Sequence, residues 1–261
     1  MINVTIVVRS WWGRKRTHVL SHPSRWADVT SAQYLAYCRL LGGDIKEERV
    51  MSAFLGIGRS VVRRLDPVYR YTIGKCLEFA NTDEPIARFI VPELLGRKAP
   101  EQGLRDVSFA EFIYIDTYYM DYISATAATL NKLVATVYRK ASGNRLHFSE
   151  DVDDSWVDKL SMAERFSVVK NYGMVRMWLE QSFPHVFAKH EANERGKKSS
   201  RKRGENGWID VFDRIVGDDY ANSDKYAERP AVEILRRLNS RIKDQKEQLR
   251  KAQALKSKKR K

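Results

Sequence analysis

Asp116 is the residue whose position in this sequence asks for chemistry. It falls between Ile113 and Met120 on the apolar face of a helical stretch, where a carboxylate is costly to bury without a partner. Two readings are open. As an acid/base group it would need a second carboxylate or a histidine on the same face; as a structural group it would need an Arg, a Lys or a Tyr hydroxyl. No second carboxylate or histidine stands at helical spacing on that face. Pairing is therefore the expectation, and the chain reads as non-enzymatic.

The other chemistry-bearing residues do not assemble into a site. Gly56-Ile57-Gly58 lacks the third glycine and the preceding strand of a dinucleotide loop, and reads as a helix-ending turn. His18 and His22 would suit a metal only on a helix, and Pro23 with strand-like neighbours argues against one. His185 and His190 lack companion ligands, and no Cys/His cluster has zinc spacing. Asp218 to Asp224 is acidic like a calcium loop but lacks the spacing, the central glycine and the distal glutamate of one. No cofactor is expected. Tyr114, Tyr118 and Tyr122 form an i, i+4 row that reads as a packing rim.

Charge is the other candidate for function. The formal net charge is +14 over 261 residues, and it is unevenly placed. Lys189 to Gly204 holds seven Lys/Arg against two Glu, and Arg250 to Lys261 holds seven with no acid, so two segments carry nearly all the excess. Lys197, Lys198, Arg201, Lys202 and Arg203 in the first, with Lys256, Lys258, Lys259, Arg260 and Lys261 in the second, are the candidate contacts for nucleic acid or another anion. Such contact would be weak, non-specific and steeply salt-dependent. Neither patch interleaves aromatics, so base stacking is not indicated.

The elements that must position these residues are mostly helical. Residues 2–8 alternate, and a return strand at Thr17 to Leu20 makes a β-hairpin the economical reading. Thr30 with Gln33, Ser108 with Glu111 and Ser161 with Glu164 are capping boxes, in which a hydroxyl serves the N3 amide and the Glx reaches back. Val29–Tyr34 and Val107–Phe112 add hydrophobic staples, and the likeness of these two helix starts raises an internal repeat against simple convergence. Helices are expected from Ser31 to Gly42, from Lys46 to Leu55, from Ser60 to Leu65, from Pro67 to Asn81 and from Ser161 to Phe183. Ser108 to Lys140 reads as one long central helix, and 82–107 as loop with a short strand at Arg88 to Val91. Cys38 and Cys76 sit in apolar helical patterns and read as reduced core residues.

Lys189 to Gly207 is polar and highly charged, which predicts a flexible basic linker. Beyond it, Trp208, Phe212 and Ile215 mark a short amphipathic helix. After Pro230 comes a long helix with Leu235, Leu238, Ile242 and Leu249 spaced like a coiled-coil seam, interrupted by Gln245. That seam is the candidate partner surface, and homo-oligomerisation through it stays open. The fold class expected is mainly α: a helical domain with an N-terminal hairpin (1–188), a basic linker (189–207) and a helical arm with a basic tail (208–261).

Several short stretches, taken together, carry a family resemblance. They are Trp26 to Thr30 with Gln33-Tyr34-Leu35, Phe54 to Ile57, Phe109 to Phe112 with Asp116-Thr117-Tyr118, Phe183 to Phe187, and Trp208 to Val211 with Asn222 and Asp224-Lys225-Tyr226. In this order they resemble tail-assembly proteins encoded among the tail genes of Bacteroidetes phages and prophages. Those are similar in role to the tail assembly chaperones that escort a tape-measure protein. The resemblance implies a non-enzymatic phage protein that binds a tape-measure or other helical tail protein in the host cytoplasm. It offers no catalytic residue to carry over, and the basic segments belong to none of its motifs. No apolar run reaches membrane-spanning length, so no membrane partner is expected.

Overall fold

The computed structural model describes residues 2–9, 12, 14–124, 127–140, 144–187 and 207–258. It is mainly helical. An antiparallel hairpin, β1 (Ile2–Arg9) and β2 (Lys15–His22), leads into α1 (Ser31–Leu41), α2 (Glu47–Leu55), α3 (Arg59–Arg63) and α4 (Pro67–Cys76). Thr30 and Gln33 close the capping box on α1, and Gly56 ends α2 in the left-handed conformation at φ 65°. Asp66 caps α4, whose proline sits in the first turn, where a missing N–H costs nothing. Ile6 and Leu20 of the hairpin, with Met51, Leu55, Val62, Leu65 and Ile73, form a small core of their own.

The main core is built on α5 (Phe109–Ile123), α6 (Leu130–Val137) and α7 (Met162–Ser182). The single long helix expected from Ser108 to Lys140 is not formed. Its apolar period runs on, but Ser124 Oγ donates to Met120 O at 2.8 Å and Thr129 Oγ1 to Tyr118 O at 3.3 Å. Hydroxyls that engage nearby carbonyls offer the backbone an alternative to the helix ladder. The chain turns back, and Leu133, Val134 and Val137 bury beside α5 instead of extending away from it.

The segment between α4 and α5 is irregular but fixed. The strand expected at 88–91 is absent; β3 (Glu93–Leu94), β4 (Arg97–Lys98) and β5 (Arg139–Lys140) make a small three-stranded sheet instead. Residues 88–90 are held by a side chain, not by a ladder. Asn171 Oδ1 accepts from Ile90 N at 2.6 Å, and its Nδ2 donates to Arg88 O at 3.0 Å. Buried tyrosines are likewise satisfied by carbonyls: Tyr34 by Ser167, Tyr37 by Ala80 and Tyr138 by Val91. Trp26 fills the centre, edge-on to Tyr34, Tyr37 and Phe79, with its Nε1 donating to Thr82 O. Cys38 is a buried free thiol, which burial pushes up to about 12.

The C-terminal segment belongs to this core. α8 (Gly207–Val216), α9 (Ser223–Ala227) and α10 (Ala231–Lys258) follow the basic stretch, and Ala231, Ile234 and Leu235 are buried with Phe109 and Phe112. Phe109 N donates to Arg229 O and Ala231 N to Val107 O, both at 2.8 Å, stitching the start of α10 to the start of α5. The first part of the arm expected from residue 208 thus packs on this core, through Trp208, Val211, Phe212, Ile215 and Leu238 as well. What stands clear of the body is the outer part of α10.

The capping box expected at Ser108 and Glu111 is half formed. Ser108 Oγ accepts from Glu111 N, but the Glu111 carboxylate turns inward. There it receives Arg145 at 2.7 Å and Arg139 at 3.1 Å and is fully buried. Burial pushes its carboxyl up to about 7, against the opposing pull of Arg145 and Arg139. A carboxyl whose folded pKa is raised binds a proton in the native state that the unfolded chain has lost. Its stabilisation is complete below the ordinary value of 4.5 and is lost as pH rises through 7. The unfolding free energy of the protein, relative to Glu111→Gln, should therefore fall by up to about 3 kcal/mol between pH 4.5 and 7 and level off above. Urea unfolding of both proteins across that range checks it; a flat difference would mean the two guanidinium groups keep the carboxylate ionised throughout.

Candidate functional site

Asp116 sits on α5 at the floor of a groove of about 1130 Å³ between α5, the end of α7, α8 and α10. Ser108 starts α5 so that Phe109, Phe112 and Ile115 face the core, and Asp116 follows on the same buried side. It is 2% exposed. Three donors meet it. Tyr172 Oη and Arg176 Nε reach Oδ1 at 3.0 and 2.9 Å, and Trp208 Nε1 reaches Oδ2 at 2.8 Å. Tyr172 and Arg176 are one helical turn apart on α7, which places both on one row.

The electrostatics are those of a closed structural cluster. Burial together with the Asp116 charge holds the Tyr172 hydroxyl well above its ordinary range. Burial works against the Arg176 charge, yet Asp116 outweighs it and raises the guanidinium further. Arg176 also bonds Glu180, so its fork spans two carboxylates. Asp116 is thus paired, as the sequence reading expects, and to two of the three residue types named for it. The indole of Trp208 is the partner that reading lacked. Its ring stands edge-on to Phe112 at 4.9 Å and to Phe187 at 5.7 Å, forming a wall of the groove.

The rest of the lining is mostly apolar. Ile113 and Met120 come from α5, Val211 from α8, and Leu238 and Ile242 from α10. The tyrosine row stands at the rim: Tyr114 packs on Tyr118 at 5.9 Å and on Phe148 at 5.3 Å. The partner seam divides along its length. Leu235 is fully buried in the protein's own core, Leu238 packs against that core, Ile242 lines the groove, and Leu249 is 63% exposed. From Lys243 to Leu255 every side chain is exposed, with Leu255 also at 63%.

Of the candidate anion contacts, Lys197, Lys198, Arg201, Lys202, Arg203, Lys259, Arg260 and Lys261 lie outside the described residues, as do the side chains of Lys256 and Lys258. His190 lies outside them too. His22 is buried with Nδ1 on Pro23 O, and Asp219 accepts from Asn222 and Tyr226 within its own turn. Among the described residues no cluster of His, Cys, Asp or Glu is arranged to hold a metal. No helix among them is long and apolar enough to cross a membrane.

Comparison with protein-family models, with curated proteins and with solved structures finds no match for this chain. The groove and its charged floor must be interpreted from their own chemistry. Removing one partner from a buried ion pair leaves the others uncompensated, at about 3–5 kcal/mol. Asp116→Ala should lower the unfolding free energy by about that much and red-shift the emission of Trp208, whereas Asp116→Asn, which keeps an acceptor, should lose less. Urea unfolding followed by tryptophan fluorescence measures both; an Ala variant as stable as the parent would mean that Asp116 does not hold α8 in place.

Proposed function

We propose that this chain is a non-enzymatic, chaperone-like assembly protein that binds a partner protein along its groove and α10. The observation that carries this reading is the form of α10. It is 28 residues long, about 42 Å at 1.5 Å per residue. Its first turns are locked into the core through Ala231, Ile234 and Leu235, and from Lys243 to Leu255 its side chains are exposed. An unsupported helix end of this kind gains little from propensity alone in water, since most helical stability in proteins comes from packing. Leu249 and Leu255 are apolar side chains held out on this helix end, in line with Ile242 at the groove, which is a use of sequence that a binding surface explains.

The resemblance to tail-assembly proteins of Bacteroidetes phages and prophages supports the same role. It suggests a tape-measure or other helical tail protein as the partner and the host cytoplasm as the place of action. A second reading, a nucleic-acid-binding accessory protein, has one observation in its favour. Arg241, Lys243, Lys246, Arg250 and Lys251 on α10 have no ion-pair partner among the described residues. Phosphates would satisfy them, with binding that falls steeply as salt rises.

Leu249→Asp is the variant that tests the first reading, because a side chain this exposed can be changed without touching the core. The tagged full chain and this variant would be recovered from lysate of the cells that encode it, with and without nuclease, at near-physiological salt. The expected result is a nuclease-resistant helical protein, retained by the parent and lost by the variant. Equal recovery by both would remove α10 as the surface, and recovery of nuclease-sensitive material alone would transfer the role to the basic segments.

A further inference from the structure

The partner's chemistry can be read from the surface itself. Leu238 and Ile242 wall the groove, and Leu249 and Ala252 continue the same stripe outward at steps of three to seven residues along α10. The groove and the projecting stripe are therefore one surface. From Leu238 to Ala252 it spans about 21 Å, or four helical turns. Along α10 cations border it on both edges, Arg241 on one side and Lys246 and Arg250 on the other, all exposed, while Glu150, Glu180 and Asp224 belong to the lining at the groove end.

Three occupants compete, and charge with shape separates them. A second copy of this chain would pair α10 with α10. Between Lys243 and Lys258 that helix holds six Lys/Arg against Asp244 and Glu247, so like charges would meet along the flanks of the seam. A nucleic acid would satisfy the cations but leave Leu249 and Ala252 without a role, since phosphates make no apolar contact. A helix with an apolar face and acidic edges satisfies both features at once.

Resting on the binding role proposed above, we infer that the groove and the outer part of α10 together take an amphipathic α-helix with acidic flanks, contributed by a different protein. Its apolar side lies on Ile242 and Leu249, its inner end enters the groove beside Trp208, and its Glu or Asp side chains meet Arg241, Lys246 and Arg250. The mixed pairing is favoured over self-pairing by complementary charge at the flanks.

The test uses the full chain and three labelled probes: a 21-residue designed helix with Leu on one face and Glu on its edges, the same helix with Lys for Glu, and a 20-nucleotide single-stranded DNA. Fluorescence anisotropy at near-physiological salt reads binding, and sedimentation reads the oligomeric state. The acidic helix should bind and the basic one should not. Leu249→Asp should weaken the acidic helix at least tenfold. Combining Arg241→Glu, Lys246→Glu and Arg250→Glu should exchange the preference, so that the basic helix binds instead, and circular dichroism should show both variants folded as the parent. Equal binding of the two helices, no binding of either, DNA binding that ignores Leu249→Asp, or a parent dimer dissolved by Leu249→Asp would each overturn the inference. If the acidic helix fails while a partner from lysate still depends on Leu249, the chemistry assigned to the partner is wrong and the binding role stands.

Discussion

A buried carboxylate must be met, and Asp116 is met by three parts of the chain. Tyr172 and Arg176 come from α7 and Trp208 from α8, so a single negative charge on α5 dictates where two other helices sit. Apolar packing alone is tolerant of sliding, because it depends on area and volume rather than on direction. Hydrogen bonds to one carboxylate are directional, and they set the rotation of α8 about its axis. That rotation turns Trp208, Val211 and Phe212 onto the core and makes them a wall of the groove. The surface on which the proposed partner would lie is a consequence of this one polar contact.

Glu111 is a second buried carboxyl group on the same helix, one turn and a residue earlier, and its effect is different. Its partners Arg139 and Arg145 follow α6 and also donate to the carbonyls of Arg145, His147, Lys98 and Val137, while Arg145 Nε stands 3.6 Å from Asp106. The cluster closes the far end of the α5–α6 turn-back. Each of the two buried carboxyls is met by donors from other parts of the chain, so neither is left without a partner.

Much of the fold was legible because it is written locally. The caps at Thr30 and Ser161, the left-handed stop at Gly56 and the proline start at Pro67 depend on residues within a turn of one another, and the hairpin pairs neighbouring stretches of chain. Where the reading failed, a long-range contact outweighed a local pattern. Glu111 has the spacing of a capping residue, but two arginines far along the chain compete for it and prevail. The period of Ser108 to Lys140 runs on through the turn because both helices bury the same face, and periodicity cannot distinguish one long helix from a helix folded back upon itself. At the candidate site, Asp116 was legible as a problem, and the row of Tyr172 and Arg176 on α7 was a signal that could have supplied the answer. Trp208, 92 residues away, offered none. Nor did the spacing of Leu235, Leu238, Ile242 and Leu249 reveal that the protein consumes the first half of its own seam.

The stitching of residues 229–231 to the start of α5 has a consequence for how the chain comes into being. A nascent chain emerges from its N-terminus, and α5 is complete long before Arg229 exists to accept from Phe109 or Trp208 to meet Asp116. During synthesis the apolar face at Phe109 and Phe112 waits uncovered, with a carboxylate on its rim and no indole upon it. Contacts this distant in sequence form late and slowly. The nascent protein thus has a period in which its own α5 face is free, and the segment that ends this period is the one that carries α10 outward.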